Sequence, residues 1–217
     1  RLMPGAHFSE NEISERMSAS RTPVRQALFW LEHEGYVQVY SRSGWQVKPF
    51  DFKYFEDLYD VRIVLEEAAI RRLCDSLLRQ AGPAIEELKA TWLIDDDARL
   101  SDGQQVSALD ERFHCLLVEA CGNEEMAAIH RGISERMRII RRLDFTKGPR
   151  IDATYNEHGA ILRAVLKRRG EEALRLLKPH IEASKAEVRK ITLHMLHAAR
   201  ERHQAQGEQG RTMQRIG

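Results

Sequence analysis

The sequence predicts a mainly α protein in two parts: a small N-terminal unit carrying a β-hairpin and a C-terminal all-α bundle. Three observations predict this. Strand-type alternation is confined to two short runs, Tyr36–Tyr40 and Trp45–Lys48, whereas beyond Asp51 apolar residues recur at helical spacing. The 217 residues are 42% hydrophobic and 31% charged, a globular composition long enough for two cores. No apolar run approaches the ~18 residues a membrane span needs, and no signal-peptide pattern appears, so no membrane partner is expected. Cys74, Cys115 and Cys121 lack framework spacing, which points to reduced, buried thiols and a cytoplasmic setting. Net charge is only +1, so bulk electrostatics alone do not announce a nucleic-acid partner.

Residues Arg1 to Phe8 read as a loop through Pro4-Gly5. Ser9-Glu10-Asn11-Glu12 is a capping box that opens a helix with Ile13 and Met17 inward, ending near Ser18-Ala19. A second helix follows a short turn. Thr22 is its N-cap, Pro23 takes the first helical position, and Val24, Ala27, Leu28 and Leu31 form its inward stripe. Gly35 stops it after Glu34. The two alternating runs then make a hairpin around Ser41-Arg42-Ser43-Gly44, completing a winged helix–turn–helix. Its exposed first turn carries Arg21, Thr22, Arg25 and Gln26, side chains that favour phosphate and base edges in a major groove.

Pro4-Gly5, Phe8-Ser9-Glu10, Ser20 through Leu28, Leu31-Glu32, Glu34-Gly35 and Gly44 stand in an order that resembles the GntR family of bacterial transcriptional regulators. The resemblance covers residues 1–48. It implies operator DNA contacts by Ser20, Arg21, Thr22, Pro23 and Arg25, with Gly44 at the wing tip. Arg21 and Arg25 are the expected base readers, because a guanidinium bonds guanine O6 and N7 together. Asn11 stands where some relatives carry an Arg for a phosphate contact. The family's first helix is expected to precede residue 1, in keeping with a first residue other than Met.

Residues 49–53, after Lys48, form the linker, and an all-helical domain is expected over 54–203. Leu58, Val61, Leu65, Ala68/Ala69 and Leu73 make the first stripe, with Arg62 and Glu66 beside it. Helices are expected at Ala84–Leu93, Val106–Ala120, Glu124–Leu143 and Ala153–Arg168. A last one runs from Gly170 towards Arg202, with a kink or break at Pro179. Asp95-Asp96-Asp97 marks a helix end or loop, and residues 204–217 read as a flexible tail.

Polar residues interrupt the apolar stripes at four places. Asp110 and His114 are i, i+4 neighbours beside Phe113 and Leu117. His158 precedes Ile161 and Leu162 by one turn, and His180 follows Leu176 and Leu177. A single core histidine is usually structural, but three with a carboxylate make the ligand set of a borderline divalent cation. Cys115, adjacent to His114, faces about 100° away on the helix and is expected in the core. Glu111 and Glu157 adjoin ligands in sequence and leave their helices in other directions.

Asp110 through His114, Glu157 through Ile161, and Gly170-Glu171 with Ala173 and His180-Ile181 resemble the FCD ligand-binding domain of FadR-type GntR regulators, over about residues 55–190. The resemblance implies that Asp110, His114, His158 and His180 hold one metal. Zinc is favoured over nickel or manganese, with positions open for a small organic acid effector. It also implies that Arg62 holds the effector carboxylate; an i, i+4 salt bridge with Glu66 is the equal alternative. Arg136, Arg138, Arg141 and Arg142 read as a solvated or interface face, and His130, His194, His197 and His203 as surface. The expected protein is a homodimeric, metabolite-responsive regulator, a repressor, on palindromic operator DNA. A purely structural metal is one alternative. A metal-dependent hydrolase is a remote one, since no HExxH helix or spare general base is evident.

Overall fold

A computed structural model describes residues 2, 5–33, 35–41, 44–49, 51–75, 82–144 and 148–213; for 41, 139, 142–144, 148–149, 191 and 194–213 only the backbone is described. Pro4, Glu34, Arg42, Ser43 and Phe50, and the side chains of Arg142, His194, His197 and His203, therefore lie outside what can be compared with the sequence reading.

The N-terminal unit runs β1 (His7–Ser9), α1 (Glu10–Met17), α2 (Arg21–His33), β2 (Val37–Ser41) and β3 (Gly44–Val47). The capping box forms as read: Ser9 Oγ accepts from the Glu12 amide and the Glu12 carboxylate accepts from the Ser9 amide. Ser18 ends α1 in the left-handed region at φ 50°, and Gly35 follows α2 at φ 84°. The sheet order is β1-β3-β2, all antiparallel, with Phe8 opposite Trp45 and Val39 opposite Trp45 on the other side. Phe8, Val24, Leu28, Val37 and Trp45 fill the core.

Several details correct the sequence reading. His7–Ser9 is a third strand rather than loop; three residues are too few to show alternation. The second helix begins at Arg21, so Thr22 lies inside it and Pro23 at its third position. The missing N–H is still harmless there, because the first four helical amides have no intrahelical partner. Met17 is 69% exposed, and Ala27 and Leu31 face outward as well, leaving Val24 and Leu28 as the buried part of the stripe. Gly44 opens β3, paired with Ser9 and Ser41, beside the tip rather than on it.

The chain divides into two compact units, and Lys53–Ile191 forms the second. The helices that build it are α3 (Phe52–Asp75), α4 (Gly82–Trp92), α5 (Gly103–Glu119), α6 (Glu124–Asp144), α7 (Gly148–Leu166) and the part of α8 (Gly170–Met213) up to Ile191. The acidic run forms a short 3-10 turn at Asp96–Ala98, and Asp102 caps α5 through the Gln105 amide. α8 passes Pro179 without a break and continues beyond Arg202 to Met213. One lost N–H is tolerated in a long helix, and the Gln/Glu/Arg residues after 202 are good helix formers without an apolar stripe.

The α3 stripe is rotated from the expected one. Leu58/Tyr59, Arg62, Glu66, Ala69/Ile70 and Leu73/Cys74 are buried, while Val61 is 46% and Val64 66% exposed. Two ionisable groups occupy core positions and two valines do not. On α6 the buried face includes His130, expected at the surface, and Arg141, expected on a solvated or interface face. His130, Ser134, Met137 and Arg141 recur at helical spacing, so the polar pair rides the same stripe as Ile133 and Ile140.

Candidate metal centre and nucleic-acid interface

α5 contributes Asp110 and His114 one turn apart, α7 contributes His158 and α8 contributes His180, all four buried. Each offers one ligand atom, and these four atoms lie within 4.8 Å of one another. His180 Nε2 is 3.1 Å from His158 Nε2 and 3.3 Å from His114 Nε2. Asp110 Oδ1 is 3.4 Å from His158 Nε2 and 3.7 Å from His114 Nε2. Ligands ~2.0–2.1 Å from a tetrahedral ion lie about 3.3 Å apart, so the donor set fits a zinc-sized cation.

Carboxylates behind the rings fix which nitrogen faces inward. The Glu66 carboxylate lies 2.6 Å from His114 Nδ1 and the Glu157 carboxylate 2.6 Å from His180 Nδ1. Each accepts Nδ1–H and leaves an Nε2 lone pair for the centre, the arrangement that orients metal-binding imidazoles. Glu66 also accepts from Arg62 Nε at 2.6 Å and meets His130 Nε2 at 3.0 Å. Glu157 also accepts from Arg150. His158 is held differently: its ring stacks on Phe113 at 3.8 Å with Trp92 edge-on at 4.2 Å, and its Nδ1 has no hydrogen-bond partner among the described residues. Gly159 permits this approach, because a Cβ there would sit 3.1 Å from the Trp92 carbonyl oxygen.

Burial holds His158 well below the ordinary imidazole range, with the neighbouring His180 charge second. Burial lowers His180 too, against the opposing pull of Glu157. For Asp110, burial pushes upward but is outweighed by His114 and by the Arg141 and imidazole charges, leaving it well below the carboxylate range. Neutral rings and an ionised carboxylate are the protonation states a cation requires.

Arg62 is paired with Glu66 inside the bundle, the alternative weighed from its i, i+4 spacing. Arg141 is the larger surprise. It is buried, with Nη1 3.3 Å from Asp110 Oδ2. The other described arginines of that group fit the outward reading: Arg136 is exposed and Arg138 pairs with Glu111. A cleft of about 500 Å³ on the outer side of α5 and α6 is lined by Arg112, Arg131 and Arg138 with glutamates, and none of the four clustered residues lines it.

In the N-terminal unit, Ser20, Arg21, Thr22, Pro23 and Arg25 are all exposed at the start of α2, as is Asn11 on α1. Arg25 donates from Nε and Nη2 to the Glu10 carboxylate at 2.8–3.0 Å. Glu10 is buried and also accepts from Trp45 Nε1 at 3.4 Å. The hydrogen bond from Arg25 is the largest influence lowering the Glu10 carboxyl. The exposed guanidinium is thus moored to the core by one edge.

Residues 1–47 match the model of the bacterial regulatory proteins of the gntR family, and residues 57–183 match the FCD domain. The Nta operon transcriptional regulator of Aminobacter aminovorans is 30% identical over 179 residues, 82% of each chain. The chain belongs to the GntR family of bacterial transcriptional regulators. The gluconate operon transcriptional repressor of Bacillus licheniformis is 26% identical over 200 residues, covering 89% of this chain and 72% of that one. The solved Zn2+-bound FCD domain of TM0439 superposes with a TM-score of 0.53 at 25% identity, over 65% of this chain and 95% of that one.

As a GntR regulator with an FCD domain, the protein is a DNA-binding transcription factor and not an enzyme. No helix among the described residues is long and apolar enough to cross a membrane. Sequence reasoning missed Glu66, His130, Arg141 and Glu157. Glu157 does leave α7 away from its neighbour His158, but reaches His180 on α8 instead. The missed signal on α3 and α6 was the phase of the stripe, which runs through Arg62 and Glu66 and through His130 and Arg141.

Proposed function

We propose that the protein is a cytoplasmic, homodimeric repressor whose helical domain binds one divalent metal and a small carboxylate effector. The convergence of three imidazole Nε2 atoms and one ionised carboxylate carries the metal reading. Asp110, His114, His158 and His180 hold the ion; zinc is favoured by the tetrahedral spacing and by the zinc in the TM0439 domain. A metal held by these four residues would take an effector oxygen as a fifth ligand, an expansion zinc can make, and would act on it as a Lewis acid. Arg62 adds positive charge to the same pocket from behind Glu66 and is itself influenced by Asp110.

The start of α2 does the reading. Arg21 and Arg25 address guanine edges, Ser20, Thr22 and Pro23 sit against the backbone, and Gly44 lets the wing approach. Two copies related by a two-fold axis take half-sites about one helical turn apart. The effector acts only through its differential affinity for the two arrangements of the dimer. Repression is supported by the resemblance to the gluconate operon repressor.

The test selects operators from a pool of random duplexes with zinc-loaded protein, then screens small carboxylates for release, with and without chelator. The expected result is an inverted repeat and release by a particular acid only when zinc is present. No repeat, or a carboxylate response that survives chelation, contradicts the proposal. Unfolding on chelation with no carboxylate response points to a structural metal instead.

A further inference from the structure

Arg141 is the most anomalous of the described side chains in the bundle. Its side chain is 3% exposed, yet among the described residues Nε, Nη1 and Nη2 all lack a hydrogen-bond partner. Asp110 Oδ2 lies 3.3 Å from Nη1 without hydrogen-bond geometry, and Arg141 also acts electrostatically on the buried Cys115 thiol. A guanidinium brings five N–H donors in a planar fork, and burying them unmet is among the costlier arrangements in a protein. Structural arginines avoid that situation. Arg62, equally buried, has a carboxylate at 2.6 Å.

Charge bookkeeping sharpens the anomaly. Around the centre, the Asp110 and Glu66 carboxylates are balanced by the Arg62 and Arg141 guanidiniums. Glu157 is offset by Arg150. A divalent cation therefore introduces two positive charges that no described side chain neutralises. Water can satisfy donors but does not supply charge. Arg141 Nη1 lies 3.3 Å from Asp110 Oδ2 while Asp110 Oδ1 lies 3.4 Å from His158 Nε2, so Arg141 and the metal position share a single carboxylate.

We infer that Arg141 is the anion anchor of the effector site and that the effector is a short dicarboxylate. One carboxylate faces the metal and the other takes the Arg141 fork bidentately. This rests on the metal reading above and goes beyond it by naming the anchoring residue and the charge of the ligand. It also makes metal and effector mutually reinforcing: each neutralises part of the field of the other, and linkage requires the effect to be reciprocal.

The test uses full-length protein, with zinc loading checked by metal analysis and fold by circular dichroism. Malonate and acetate are titrated calorimetrically into zinc-loaded and zinc-free wild type, Arg141→Gln, Arg141→Lys and the exposed control Arg138→Gln. Malonate is expected to bind loaded wild type at least tenfold more tightly than acetate and tenfold more tightly than it binds zinc-free protein. Arg141→Gln loses that preference while retaining its zinc; Arg141→Lys, which keeps charge without the fork, is intermediate; Arg138→Gln matches wild type. Equal binding of malonate and acetate by wild type, or an unchanged preference in folded, zinc-loaded Arg141→Gln, overturns the inference. If wild type takes up no zinc, the metal reading fails by itself. Malonate binding that still depends on Arg141 would then leave the anchor standing, and its absence would end both.

Discussion

Two arginine–carboxylate pairs, one in each unit, do opposite things with the same chemistry. Arg25 is 55% exposed and grips a buried Glu10, so its outer edge remains available to solvent. Arg141 and Asp110 are both inside, at 3% and 7% exposure. A pair open to water is strongly screened and adds little to stability; its value is to aim a cation outward at a large, polyanionic partner. A closed pair keeps nearly its full field, which suits capture of something small enough to enter. The reading unit thus displays charge and the bundle stores it.

Removing a ligand from the closed region is expected to have the largest effect. His158→Ala should weaken zinc binding by more than about 100-fold, beyond the loss typical of outer-shell changes, as measured by competition with a chromogenic chelator. Unchanged affinity would remove His158 from the metal. Arg25→Ala attacks the open region and should lose ~1–3 kcal/mol of operator discrimination, or about 5- to 150-fold, in fluorescence anisotropy. Its zinc stoichiometry should stay at the wild-type value, and a linked loss of zinc would break the contrast between the regions.

Smaller effects probe the groups behind those residues. Glu66→Gln keeps the shape but not the charge that orients His114, and should reduce zinc affinity about tenfold. Glu10→Gln should reduce operator discrimination only a few-fold, since Arg25 keeps its charge and loses its mooring. Combined with Arg25→Ala it should add nothing, the mark of two residues acting through one contact in a double-mutant cycle. An additive loss would mean that Glu10 acts elsewhere.

The same contrast explains what the sequence disclosed. The proposed reading site is contiguous, Ser20 to Arg25, flanked by local signals such as the capping box and Gly35, so its helix–turn–helix was legible from neighbours in the chain. Asp110, His114, His158 and His180 were legible because imidazoles interrupted apolar stripes on three separate helices. Glu66 and Arg141 were not. Both sit in register with core positions, but charged residues are normally assigned outward, and only contacts across α3, α5 and α6 justify burying them. The valines Val61 and Val64 drew the α3 stripe towards themselves for the same reason. The strand His7–Ser9 depends on pairing with β3, which no local pattern announces.

The most direct measurement is the metal content of the purified protein together with thermal unfolding before and after chelation. One zinc-class ion per chain is expected. Its removal should lower stability by ~3–4 kcal/mol, the linkage for a ligand at 100 to 1,000 times its Kd, and zinc should restore it. A chain that stays metal-free in excess zinc and melts at the same temperature with or without chelator would contradict the metal centre outright, and return the three histidines to the role of core residues.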